Sequence, residues 1–181
     1  MILCHLFIDF FFRTGTGKFD VEDVDASLCS YYVYAFAILD PKLDTIIPSD
    51  EANDIDNGSY LKFTGLKAKY PKLKTLIALG GALDSESNIY SLLVSDERKV
   101  EVFIDSVLIF LEKFKFDGID LDWEFPKTPA DKIGFTNLMN KLKQRLKQLG
   151  FLLTVAVSAY RPTIDRGKHS FNNQKSGNII S

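Results

Sequence analysis

An α/β fold built from parallel β/α units is what this sequence predicts, and three observations predict it. Five runs rich in β-branched and aromatic residues, at 4–12, 31–39, 73–79, 116–126 and 151–159, read as strands. Between them lie segments whose apolar residues recur at helical spacing. No hairpin signal joins neighbouring strands, so the connections are expected to be right-handed crossovers.

The first run, 4–12, reads as a short, mostly buried strand, followed by a Gly-rich turn at 14–17 and helix-turn character at 21–25. Residues 31–39 (YYVYAFAIL) are apolar on both faces, as a buried parallel strand should be, and Asp40-Pro41 stops them. The acidic stretch 44–58 is expected to be an irregular surface loop, with no ligand spacing for a cation. Residues 60–70 read as a short helix ended by Pro71, and 73–79 (LKTLIAL) as a strand that runs into Gly80-Gly81. Residues 82–95 are expected to be loop with one helical turn.

From 96 to 114, Phe103, Val107, Phe110, Leu111 and Phe114 form a helical stripe facing the core. A second long helix starts at Thr128-Pro129-Ala130-Asp131, where Thr caps, Pro opens the first turn and Asp stands third. Phe135, Leu138, Leu142, Leu146 and Leu149 are its buried stripe, and Gly150 closes it. After a last strand at 151–159 the pattern dissolves, and 167–181 reads as a divergent, disordered tail. Two parallel architectures fit. A doubly wound sheet lacks its Gly-x-Gly-x-x-Gly phosphate loop here. A (β/α)8 barrel needs about 250 residues, so this chain would hold about its first five β/α units; the ending without a last helix favours that truncated barrel.

With 181 residues, 46% hydrophobic and 25% charged, the chain has the composition of one soluble globular domain. A net charge of -2 excludes a general attraction to nucleic acid or anionic membrane, and no apolar run is long enough to span a bilayer. The apolar start lacks a basic leader and a small-residue cleavage site, and Asp9 interrupts it, so it reads as a strand rather than a signal peptide. Cys4 and Cys29 are the only cysteines; taken alone they fit two reduced core thiols as well as one disulfide.

The chemistry is concentrated in 116–126, FDGIDLDWEFP. As a strand it points Asp120, Asp122 and Glu124 to one face and Ile119, Leu121 and Trp123 to the other. Three acids on one face repel each other and resist burial, which a fold accepts mainly where they do chemistry or hold a cation. A metal site would want His, and neither His5 nor His169 is expected near this strand. Pairing of the acids with Lys or Arg across the barrel is the structural alternative. Nucleophilic Ser or Cys chemistry has no His partner in reach. Acid catalysis with Glu124 at the C-terminal strand end, Asp122 one inward position earlier and Asp120 deeper is the best chemical class, with no cofactor and no metal.

At this stretch the sequence resembles glycoside hydrolase family 18, the chitinases and chitinase-like proteins, in its arthropod secreted branch. The signature Asp-x-x-Asp-x-Asp-x-Glu is met by Asp117, Asp120, Asp122 and Glu124. LIALGG at 76–81 looks like the family's motif on the third barrel strand, and 17–29, 34–40 and 154–159 carry further likeness. The resemblance implies a TIM barrel, with 1–166 as a partial catalytic domain, that hydrolyses the β-1,4-N-acetylglucosamine linkages of chitin or chito-oligosaccharides. It implies Glu124 as general acid/base, Asp122 orienting the substrate acetamide that serves as nucleophile, and Asp120 tuning Asp122. It further implies that Gly80, Gly81, Ala82 and Phe125 line the sugar cleft, that Cys4 and Cys29 pair, and that the protein is an extracellular monomer.

Departures temper this. Ala82-Leu83 stands where the family has Trp-Asn, removing a stacking surface and an amide, and Phe10-Phe11-Phe12 lacks the family's indole. No Met-x-Tyr-Asp motif, late cleft Trp or chitin-binding module is found. A non-hydrolytic chitinase-like lectin or growth-factor-type protein, or an inactive truncated product, is therefore the alternative reading.

Overall fold

In the computed structural model, residues 2–7, 21–85 and 87–156 are described. Six strands form one sheet. They are β1 (Leu3–Phe7), β2 (Tyr31–Asp40), β3 (Thr45–Pro48), β4 (Lys74–Gly80), β5 (Gly118–Asp122) and β6 (Leu152–Val155). The strands β1-β2-β4-β5-β6 lie side by side in that order and are all parallel. Chain order and spatial order coincide with no reversal. That is the order of a (β/α)8 barrel and not of a doubly wound sheet, which switches direction partway. The helices are α1 (Ser59–Gly65), α2 (Ala82–Ser85), α3 (Ile89–Val94), α4 (Glu97–Phe114) and α5 (Pro129–Gln148).

The sheet separates two apolar regions. On the helix side Tyr60 is fully buried, its ring 5.0 Å from Tyr34, 5.1 Å from Phe114 and 5.5 Å from Phe110 and Phe116. Edge-on packing of this kind suits aromatic quadrupoles and explains why the chain is rich in Phe and Tyr. On the opposite, inner face the buried cluster is smaller: Val33, Ala35, Leu76 and Ala78. Between β2 and β4 the register slips by one residue, leaving Phe36 as a bulge that packs against this inner cluster.

The long helices follow their sequence signals. Asp96 caps α4 by accepting the Arg98 N–H at 2.9 Å, and every residue of the expected stripe is buried. At α5 the capping box is complete: Asp131 donates its N–H to Thr128 Oγ1 at 3.0 Å, and Thr128 returns its N–H to Asp131 Oδ2 at 2.8 Å. Leu138, Leu142 and Leu146 are buried, whereas Phe135 is half-buried and Leu149 is 54% exposed, because α5 has already ended before it. Cys4 and Cys29 form a disulfide that ties β1 to the segment before β2.

Further expectations need correction. The stretch 44–58 is not a structureless loop: β3 returns antiparallel along the far end of β2, pairing Leu39 with Ile46. It is short and unpatterned by itself, and is held by that overhang and by Ser106, whose hydroxyl accepts the Ile46 N–H at 3.1 Å. Within the same stretch Asp54 is buried and accepts the Tyr34 hydroxyl at 2.6 Å. Residues 82–95 contain α2 and α3 rather than a single turn. Of the strand expected over 4–12 to be mostly buried, the described part shows Leu6 buried, Cys4 half-buried and His5 exposed. A last correction, of His5, belongs to the site below. The Phe triplet at 10–12, the turn at 14–17, the boundary at 166 and the tail at 167–181 lie outside the described residues.

Candidate active site

The acids alternate along β5 as their period demands. Ile119 and Leu121 are fully buried on the helix side, and Trp123 continues that side, stacked on Tyr90 at 5.6 Å. Asp120 and Asp122 take the inner face. Strand pairing stops at Asp122, two residues before the end expected from the sequence, so Glu124 stands in the turn beyond the strand, at its C-terminal end.

Asp120 is 4% exposed. The Thr154 hydroxyl on β6 donates to its Oδ1 at 2.5 Å, and His5 Nε2 on β1 lies 3.8 Å from its Oδ2. His5 is therefore beside the acids after all. A sequence reading places it far away, but β1 joins the same parallel sheet and turns alternate residues to the same inner face. Burial pushes the Asp122 carboxyl up to about 6; the charges of Glu124 and Asp120 add to that push and His5 opposes it.

Asp117 is a separate matter. It sits at the N-terminal end of β5, about 16 Å along the strand from Asp122. Its carboxylate accepts the Thr75 N–H at 2.9 Å, Lys67 Nζ at 2.9 Å and Lys74 Nζ at 3.1 Å. Burial alone would raise it, yet the Thr75 N–H and the two lysines outweigh burial and hold it below the usual carboxylate range. The first Asp of the motif thus fastens the bottom of the sheet, away from the other three acids.

Gly80 and Gly81 are positioned by backbone contact with the acidic strand. Gly80 has φ +117, and a Cβ there would collide with the Asp122 carbonyl oxygen. Gly81 donates its N–H to that same oxygen at 2.9 Å, and a Cβ on it would press on the Phe36 ring at 3.0 Å. Ala82 is exposed at the start of α2, one residue past this contact. Phe125 is half-buried and borders, with Ser85, Trp123 and Lys127, a cavity of about 100 Å³ beside the turn.

Two residues escaped the sequence reading. Ser85, 2% exposed, accepts the Glu124 N–H at 2.9 Å. Asp84 accepts the Tyr90 hydroxyl at 2.5 Å and the Leu39 N–H at 3.3 Å, tying the loop after β4 to the end of β2. Burial raises the Asp84 carboxyl above its ordinary value. Neither belongs to an apolar period, so a polar pair in a loop carried no sign of being buried.

The arrangement is a graded acid ladder at the C-terminal mouth of a parallel sheet, with the deepest acid held from two other strands. The sequence profile of the glycosyl hydrolases family 18 matches residues 7–180. The chain belongs to this family. Among members of family 18, it is 36% identical over 179 residues to Probable chitinase 10 of Drosophila melanogaster, covering 94% of this chain and 8% of that protein. It is 36% identical over 173 residues to Probable chitinase 2 of the same fly, covering 91% of this chain and 36% of that one. The crystal structure of Ostrinia furnacalis Group II chitinase catalytic domain 2 matches with a TM-score of 0.86 at 36% identity, over 91% of this chain and 45% of that domain. A mutant of that domain has been crystallised with penta-N-acetylchitooctaose, (NAG)5. The chain spans less than half the length of each of these family 18 relatives. Its β1, β2, β4, β5 and β6 are part of a TIM barrel, as the sequence led one to expect.

Proposed function

We propose that this chain carries the catalytic strand of a chitinase that hydrolyses β-1,4-N-acetylglucosamine linkages with retention. The observation that carries the reading is the ladder itself: Asp122, half-buried with its carboxyl at about 6, between a buried Asp120 and a Glu124 at the strand end. Glu124 gives its proton to the glycosidic oxygen as the bond to the anomeric carbon breaks. The carbonyl oxygen of the substrate's own acetamide attacks that carbon, forming an oxazolinium ion, so the protein needs no nucleophile. Asp122 orients the acetamide and its negative charge stabilises the cation. Water then attacks the anomeric carbon and displaces the acetamide oxygen, opening the oxazolinium ring and giving its proton to Glu124, and the two displacements restore the original configuration.

Asp120, steadied by Thr154, shapes the electrostatics of Asp122 from below. The Gly81–Asp122 contact, exposed Ala82 and Phe125 are read as the wall of the sugar cleft, and chitin or chito-oligosaccharides as the partner. The Cys4–Cys29 disulfide fits an oxidising, extracellular setting. Residues 1–166 are read as the corresponding part of the catalytic domain.

The test is hydrolysis of a fluorogenic chito-oligosaccharide by a barrel completed with the second half of a relative of known structure. Glu124→Gln should lower turnover by about a thousand-fold or more while leaving oligosaccharide binding in place. Turnover that survives this change would sink the assignment.

A further inference from the structure

The parallel register places His5 behind the acid ladder. His5 pairs with Val33 on β2, Val33 with Leu76 on β4, and Leu76 with Gly118 on β5. The next inner row upward contains Ala35, Ala78, Asp120 and Thr154. His5 thus stands one row below Asp120, on the same face. The intervening strands offer only the buried apolar side chains of Val33, Ala35, Leu76 and Ala78 there. Across that short apolar floor the imidazole Nε2 comes to 3.8 Å from Asp120 Oδ2, while Oδ1 is engaged by Thr154.

Among the described residues, the neighbouring strands bring several side chains to this inner face. Strand β5 brings Asp120 and Asp122, and the turn after it brings Glu124. Strand β2 brings Tyr31, packed against the inner cluster. Lys74, at the start of β4, is bound to Asp117. Strand β6 contributes Thr154, which does not titrate. Asp120 therefore faces a group that can become a cation, and Asp122 registers its presence: burial, Glu124 and Asp120 push that carboxyl up and His5 opposes them.

We propose that His5 is a positioning residue of the ladder, a counter-charge behind Asp120 whose positive form makes negative charge on Asp122 easier to bear. A positive imidazole on the same inner face favours the charged form of Asp122, opposing burial and the neighbouring acids. As the imidazole loses its proton, that support is withdrawn and Asp122 holds its own proton more tightly. The state in which Asp122 meets the substrate acetamide then depends on a side chain that does not touch the sugar. The catalytic consequence rests on the reading of Asp122 given above, whereas the coupling itself needs no substrate.

The coupling is read by NMR titration of the 181-residue chain, following the Asp122 carboxyl carbon and the His5 imidazole. His5→Gln should move the Asp122 midpoint upward by about half a pH unit or more. Because linkage is reciprocal, Asp122→Asn should move the His5 midpoint downward. An unmoved Asp122 midpoint in folded His5→Gln protein overturns the proposal. If that variant does not fold, the imidazole of the Asp122→Asn protein decides alone, and an unmoved midpoint there overturns it as well. Coupled titrations in a protein whose completed barrel cleaves no chito-oligosaccharide would support the role of His5 in the ladder and retire the chitinase reading.

Discussion

The Ser85 hydroxyl accepts the backbone N–H of Glu124 at 2.9 Å, and the same oxygen lies 3.5 Å from the Asp122 carbonyl. The loop after β4 thereby grips the chain on both sides of Trp123, beyond the last ladder bond of β5. Glu124 owes its place to this clasp more than to the strand. Ser85→Ala leaves a peptide N–H without its partner at a site where Ser85 itself is 2% exposed. The expected cost is about 1–3 kcal/mol of stability. In a completed barrel kcat should fall about ten-fold or more, while oligosaccharide Kd stays nearly constant, since misplacement of the acid is felt at the reacting bond. An unchanged kcat would show that the turn holds Glu124 without the serine.

Gly80→Ala tests the closeness of the two strands. The new methyl would meet the Asp122 carbonyl oxygen and stand 3.3 Å from the Tyr90 hydroxyl, at a residue with φ +117. A destabilisation of about 3 kcal/mol or more is expected, seen as a lowered thermal midpoint or loss of soluble protein. Wild-type stability in this variant would mean that β4 and β5 do not approach as described.

Asp117→Ala should separate the motif's structural acid from its inner three. It removes two lysine pairs and the acceptor of the Thr75 N–H and hydroxyl. About 2–3 kcal/mol of stability should be lost in urea denaturation. The titration of Asp122, at the other end of the strand, should stay where it is. A shifted Asp122 midpoint would argue that Asp117 belongs to the catalytic group.

Asp122 also leaves a mark on stability against pH. Its carboxyl lies at about 6 in the fold, above its ordinary value of 3.8. The folded state therefore binds the proton more tightly than the unfolded chain, and the benefit is complete below about pH 4. It is lost as pH climbs towards 6, above which the buried charge is a standing cost. Burial raises Asp54 and Asp84 too, which slopes the curve the same way. The contribution of Asp122 is thus read as a difference: the urea midpoint of Asp122→Asn minus that of the wild type should grow from pH 4 to 6 and then level off. A flat difference would place the carboxyl near its unperturbed value.

Much of this molecule was legible in the order of its residues. The stripe of α4, the capping box of α5 and the alternation of Ile119, Asp120, Leu121 and Asp122 are consequences of periods of 3.6 and 2, which act within a few residues. So the inward set of acids, the parallel β/α architecture and the family followed from the sequence alone. The return of β3, the clasp of Ser85 on Glu124 and the reach of His5 to Asp120 did not. Each joins segments whose meeting depends on how parallel strands register after long crossovers. No local period carries that information, because it is set only when the strands close into one sheet and bring distant side chains to a common face.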